Sequence, residues 1–211
     1  MHHRVLYGAT KTDDGGMGVK VAVLFERSGV IRDAFLGKGY EAISCDLEPT
    51  ESPGPHIQGD VLEQDWSGYE LVIAHPPCTA LAVSGNRHYA ETITRAVAAR
   101  LVQIIWRLPV DKLAIENPVG VINRYLPEMP KPYYIQPWQF GHPESKKTGL
   151  WTRGLPRLEP TNVLEKPAKG YWNNQTPSGQ NKLGPSENRS AIRARTYEGI
   201  AQAMARQWSG V

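Results

Sequence analysis

Two residues in this chain carry chemistry that their neighbours make usable. Cys78 follows Pro76 and Pro77 after the apolar run Leu71-Val72-Ile73-Ala74, so the pattern predicts a thiol projecting from the C-terminal tip of a strand. The two prolines stiffen the backbone on which it stands. A thiolate so placed can add to C6 of a pyrimidine ring. C5 then becomes nucleophilic and can take a methyl group from a sulfonium donor. Glu116 ends a second strand-like run, Lys112 to Glu116, and Asn117 and Pro118 follow it and hold the turn. A carboxyl group there can hydrogen-bond N3 and the exocyclic amine of cytosine, relieving the charge that addition at C6 creates. In a dry pocket its pKa is expected to rise, leaving it partly protonated.

Strands and helices must alternate to bring such residues together. Val19 to Phe25 reads as a nearly buried strand, Val30 to Leu36 as a helix ending at Gly37 and Gly39, and Glu41 to Leu47 as a second strand. Gly59-Asp60-Val61 closes a short strand-like stretch, and Tyr69 to Ala74 delivers Pro76-Pro77-Cys78. Thr79 to Glu91 is expected as a loop. Thr92 to Leu108 reads as an amphipathic helix with Ile93, Ala96, Val97, Leu101, Ile104, Ile105 and Leu108 as its apolar positions, stopped by Pro109. Residues 118–189 are rich in Pro, Gly, Asn and aromatics and read as an irregular segment, with a possible strand at Gly149 to Thr152 and an extended loop over 159–188. Ser190 to Trp208 returns to helix, with Ile192, Ile200, Met204 and Trp208 as its larger apolar positions. Alternation of this kind predicts one α/β domain over residues 1–211, built on a parallel sheet.

In such sheets ligands bind beyond the C-terminal strand ends, where Phe25-Glu26, Asp46, Asp60, Cys78 and Glu116 all fall. The turn Phe25-Glu26-Arg27-Ser28-Gly29 joins the first strand to the first helix, a position suited to a nucleotide-like cofactor. Asp46 is placed to bind ribose hydroxyls and Asp60 to accept from an adenine amine. Asn86, Arg87 and His88 follow the cysteine and are candidates for contacts to phosphate or a flipped base, or else a solvated polar loop.

Composition narrows the classes. With 40% hydrophobic and 21% charged residues the chain is an ordinary globular one. No apolar run approaches the roughly 20 residues that span a bilayer, and Met1-His2-His3-Arg4 opens no signal peptide, so a cytoplasmic protein of a bacterium or phage-infected cell is expected. Cys45 and Cys78 suit a reducing compartment. The histidines lack HxxxH spacing and the cysteines CxxC spacing, so no metal site is expected. The net charge of +3 permits nucleic-acid binding. From Arg124 to Arg206 lysines and arginines recur among Trp138, Trp151, Tyr171 and Trp172, a mixture suited to phosphate contacts and base stacking.

In their order these motifs resemble the DNA cytosine-5 methyltransferases, which use S-adenosylmethionine. Phe25 through Phe35 (FERSGVIRDAF) is similar to that family's FxGxGGxxxAF, with Arg27 and Val30 where two of its glycines stand. Pro76-Pro77-Cys78 resembles the nucleophile motif, Glu116-Asn117-Pro118 the ENV motif, and Phe140 to Lys146 the YGxPQxR element, with Thr148 at the place of a second arginine. Ser190 to Met204 stands in the place of the closing motif, and the late target-recognition domain is missing or tiny. The resemblance implies a Rossmann-like, mostly parallel methyltransferase fold acting on DNA. It implies Cys78 and Glu116 as catalytic residues and S-adenosylmethionine, or a modified form of it, at Phe25, Glu26, Ser28, Gly29, Asp46, Asp60 and Pro76. It also implies cytosine-bearing substrate at Pro77, Asn86, Arg87, Asn117 and Lys146, with the loop from Thr79 to Tyr89 closing over the base. Two other readings stay open: C5 modification of a free pyrimidine nucleotide or RNA, and a non-catalytic nucleic-acid-binding protein on a decayed fold.

Overall fold

A computed structural model describes residues 19–183, 195–208 and 210. Its centre is a seven-stranded sheet: β1 (Lys20–Leu24), β2 (Glu41–Asp46), β3 (His56–Gln58), β4 (Leu71–Ala74), β5 (Lys112–Pro118), β6 (Tyr133–Ile135) and β7 (Thr148–Arg153). The order across the sheet is β3-β2-β1-β4-β5-β7-β6. The first five are parallel neighbours, and β7 runs antiparallel to both β5 and β6. This order and these directions give a Rossmann-like, mostly parallel sheet, as the sequence implies.

Strands buried on both faces need helices on both sides. Val21, Val23, Leu71 and Ile73 face α1 (Val30–Leu36) and the last helix, in one core with Phe35, Ile200, Met204 and Trp208. Their alternates Ala22, Leu24, Val72 and Ala74 form the second core with Ala99, Val102, Ile105 and Ile122. Among the described residues the other α-helices are α2 (Asn86–Tyr89), α3 (Ile93–Trp106), α4 (Ile122–Tyr125) and α5 (Glu198–Gln207).

Several expectations change. Residues 79–91 contain α2 and a 3-10 turn, Val83–Gly85, rather than loop throughout. Helix α3 starts on its cap, where the Thr92 hydroxyl accepts from the Arg95 amide at 3.3 Å. Its inward face is Arg95, Ala99, Val102 and Ile105, while Ile93 and Val97 are 80% and 62% exposed. Arg95 sets this rotation: its Nε donates to the Ala80 carbonyl at 2.7 Å and its Nη2 to Asn86 Oδ1 at 2.9 Å. Within the stretch read as irregular, α4, β6 and β7 form, and Ile135, Leu150 and Trp151 are buried. Between residues 159 and 183 no helix or strand forms. The last helix begins at Glu198, since residues 195–197 are not helical, and the start expected at Ser190, with Ile192, lies outside the described residues.

Arg32 is fully buried behind α1. It donates to Asp33 Oδ1 (2.8 Å), to the hydroxyls of Ser44 (3.1 Å) and Thr50 (3.2 Å), and to the Ser52 carbonyl (3.0 Å). It thereby ties α1 to β2 and to the loop after β2. We expect Arg32→Ala to cost about 3 kcal/mol, because it strands several of these acceptors away from water. Urea denaturation measures this, and a loss below about 0.5 kcal/mol would contradict it.

Candidate functional site

Strands β4 and β5 deliver the two central residues. Their parallel register pairs Ala74 with Ile115, so the next residues, His75 and Glu116, emerge side by side at the C-terminal edge. His75 Nδ1 donates to Glu116 Oε2 at 2.9 Å. One residue on, Asn117 is 1% exposed, and its Nδ2 donates to the Pro76 carbonyl at 3.1 Å. This bond clamps the Pro-Pro-Cys segment to the strand that bears Glu116. Pro76 is buried, Pro77 exposed and Cys78 half-buried. The Cys78 carbonyl accepts from the amides of Leu81 (2.9 Å) and Ala82 (2.8 Å), closing the turn behind the thiol. The second thiol is no rival: burial first, then Asp46 and Asp60, push Cys45 up to about 12.

Glu116 corrects an expectation. Burial alone would raise its pKa, but the charge of Lys146, the hydrogen bond and charge of His75, and a hydrogen bond from Thr148 outweigh burial and hold it at about 2. It is an anion at neutral pH rather than a partly protonated acid. A carboxyl group depressed in the folded state stabilises the fold above its ordinary value of 4.5, and that contribution is lost as pH falls through about 2.

A small cavity beside Glu116 is lined by Ile135, Lys146, Thr148, Tyr197, Ile200 and Met204. It joins the segment from Phe140 to Lys146 to helix α5. His142 Nε2 accepts from the Gly199 amide at 2.9 Å, and the Tyr197 hydroxyl donates to Glu144 Oε2 at 2.5 Å. Burial raises the Tyr197 pKa and Glu144 adds to it, so the phenol stays protonated. Lys146 Nζ donates to the Arg195 carbonyl at 3.3 Å and lies 5.9 Å from the Tyr197 ring centre. Sequence reasoning reached Lys146 but missed His75 as Glu116's partner and Tyr197 as a wall. Adjacency to Pro-Pro-Cys is the only local signal for His75, and Tyr197 has none.

The turn after β1 forms the other half of this edge. Phe25 holds a left-handed φ of 59° and Gly29 one of 73°. Such a φ is rare for a bulky residue and concentrates at functional sites. Glu26 is 5% exposed and turns inward, its oxygens accepting from the amides of Ile31 (2.7 Å) and Arg32 (3.2 Å). Burial raises its pKa despite those bonds. It caps α1 and shapes the turn rather than reaching across it. The Ser28 hydroxyl lies 3.5 Å from Glu26 Oε1. Arg27 is drawn to the surface by Glu51, 3.0 Å away. Asp46 is half-buried and Asp60 caps the turn after β3, accepting from the Leu62 amide at 2.8 Å. Beside these two acids stand Leu47, 69% exposed, and Leu62, 48% exposed. Two apolar side chains next to two carboxylates suit a nucleoside, and sequence reasoning passed over both leucines.

Asn86 and Arg87 lie on α2, away from the expected loop geometry. The Asn86 oxygen is taken by Arg95, while Arg87 is exposed. Among the described residues no group of three or more His, Cys, Asp or Glu side chains is arranged to hold a metal. Among them, too, no helix is long and apolar enough to cross a membrane.

The chain matches no protein-family model and no curated protein. Solved structures do resemble it. A prophage-encoded E. coli protein, described as a candidate DNA modification methyltransferase, is 14% identical with a TM-score of 0.44, over 69% of this chain and 52% of that one. The Entamoeba histolytica methyltransferase EhMeth is 18% identical with a TM-score of 0.46, over 71% of this chain and 58% of that one. The aligned part thus spans little more than half the length of either structure.

Proposed function

We propose that this chain transfers a methyl group from S-adenosylmethionine to C5 of cytosine in DNA through a covalent bond between Cys78 and C6. The observation that carries the reading is the clamp from Asn117 to the Pro76 carbonyl at 3.1 Å, which holds the Cys78 turn against the strand that bears Glu116. Cytosine, turned out of its stack, presents C6 to the Cys78 thiolate and N3 with its amine to Glu116. Lys146 lines the same cavity and contributes positive charge beside that carboxylate. After transfer, loss of the C5 proton to a solvent base lets the Cys78–C6 bond break and frees the enzyme.

The cofactor's fit rests on the donor set after β1, β2 and β3. In this reading Asp46 takes ribose hydroxyls, Asp60 an adenine amine, and the exposed Leu47 and Leu62 offer apolar contact to the base. Gly29, with φ of 73°, leaves the turn open where a side chain would collide with Arg32. When bound, S-adenosylmethionine supplies an electrophilic methyl group. The reading takes the unmodified donor, because Arg27 is paired with Glu51.

Charge supports DNA as the substrate. Residues 131–183 hold eight lysines and arginines against three glutamates, whereas residues 19–130 hold ten against fourteen acids. Lys147 Nζ lies 4.5 Å from the Tyr134 ring centre, and Lys169 and Lys182 lie 5.1 and 5.7 Å from that of Tyr171. Lysines beside rings can meet phosphates while the rings meet bases. The triple variant Lys147→Ala, Lys169→Ala, Lys182→Ala is expected to weaken DNA binding and to flatten the slope of log affinity against log salt by about 3. Fluorescence anisotropy at several salt concentrations measures this, and an unchanged slope would place the DNA elsewhere.

Nucleoside mass spectrometry of DNA from cells with and without the expressed chain tests the product. The expected result is 5-methyldeoxycytidine appearing only with expression. A different mass at C5 would overturn the donor, and modification confined to free nucleotides or RNA would overturn the substrate.

A further inference from the structure

Glu116 poses a chemical difficulty. When the Cys78 thiolate adds to C6, negative charge arrives at N3, which must take a proton. Glu116 meets the base as an anion and has none to give. The nearest group able to hold one is His75. Its Nδ1 is 2.9 Å from Glu116 Oε2, and the two side chains are 10% and 14% exposed. The other charged groups facing this pair are Glu26, from the turn after β1, which interacts with the imidazole by charge, and Lys146, which interacts with Glu116 by charge. Lys146 is held by the Arg195 carbonyl. His75 Nε2 is buried and meets no hydrogen-bond partner among the described residues, so the ring's polar contact is the one to Glu116. Backbone position reinforces the pairing, because His75 immediately precedes the Pro-Pro-Cys turn and its amide donates to the Leu24 carbonyl at 3.0 Å.

We infer that His75 is a positioning residue that stores the proton Glu116 passes to N3 as Cys78 attacks. The inference rests on the cytosine reading above. In the addition step the thiolate lone pair forms the Sγ–C6 bond and the C5–C6 π bond breaks. The Nδ1 proton of the imidazolium moves to Oε2 of Glu116, the carboxyl group turns, and that same proton passes to N3. Imidazole is left neutral, carboxylate remains carboxylate, and the adduct is neutral. Elimination of Cys78 reverses the proton path and recharges His75.

The test compares wild type with His75→Gln, which keeps a donor toward Glu116 but cannot carry the mobile proton. The readout is the rate of covalent capture on DNA containing 5-fluorocytosine, between pH 6 and 9. Wild type is expected to slow towards high pH, because the step consumes a proton that His75 must supply, although thiolate formation alone would speed it. His75→Gln is expected to be about 10²-fold slower at pH 7 and to lack that alkaline fall. A variant as fast as wild type, or one retaining the fall, overturns the role. Should the variant fail to fold, imidazole ¹⁵N shifts of wild type decide. Both ring nitrogens protonated at the low end of this range supports the role, and a neutral ring throughout overturns it. Absence of any wild-type capture would instead overturn the cytosine reading itself, and this inference with it.

Discussion

Cys78→Ala is expected to bind DNA and S-adenosylmethionine as the wild type does and to transfer no methyl group. The loss should be at least about 10⁴-fold, the scale seen when a covalent nucleophile is removed. Nothing else in the site can take over. Cys45 is buried with its thiol pushed up to about 12, so it supplies no thiolate at neutral pH. The substitution trims a half-buried side chain at a turn fixed by its own carbonyl and by Asn117, so its effect on folding stability should stay within about 1 kcal/mol. Incorporation of labelled methyl into DNA, with affinities measured alongside, separates loss of chemistry from loss of binding. Retained transfer would remove covalent catalysis from the account.

The second large effect belongs to Glu116→Gln. A carboxamide can still accept from His75, but it cannot shuttle a proton to N3, and single-turnover rates are expected to fall between about 10² and 10⁴-fold. The substitution also has a stability signature with a definite sign. Because the carboxylate is held at about 2 against an ordinary 4.5, wild type loses stability as pH falls through that interval. Glu116→Gln should lose less over the same interval. Acid titration of unfolding free energy in both proteins checks this. Equal slopes would mean that Lys146, His75 and Thr148 do not hold the charge as described.

Much of the frame was readable because it depends on local pattern. The run Val21-Ala22-Val23-Leu24 is apolar on both faces, and a helix bounded by Gly29 and Gly37 follows it, so β1 and α1 fall where the periodicity puts them. Cys78 and Glu116 were legible for the same reason, since each follows an apolar run and neither needs a distant partner to be noticed. Strand β5, however, continues through Asn117 and Pro118, expected as a turn, because β7 pairs with them. The errors came from long-range partners. Arg95 turned α3 away from the face its aliphatic residues suggest, because carbonyl and amide oxygens at residues 80 and 86 claim its guanidinium. The three-residue strand β6 lies between Pro132 and Pro137, too short and too heavily punctuated to show a period of two. The pKa of Glu116 was misjudged because burial was visible in the pattern, whereas its counterweights came from residues 75, 146 and 148, on other segments. Glu26, read as a cofactor contact, is spent on the amides of α1, a use that only three-dimensional closure of the turn reveals.

The account depends most on one bond, between Cys78 and the substrate ring. Wild-type protein incubated with S-adenosylmethionine and duplex DNA carrying 5-fluorocytosine, then analysed by denaturing electrophoresis and intact mass spectrometry, shows that bond directly. Fluorine at C5 prevents the final proton loss. The predicted product is therefore a denaturant-resistant complex with the mass of protein, DNA and one methyl group, mapping to Cys78 and absent from Cys78→Ala. Failure of the wild type to form that complex on DNA it demonstrably binds, or its formation in Cys78→Ala, would contradict the account.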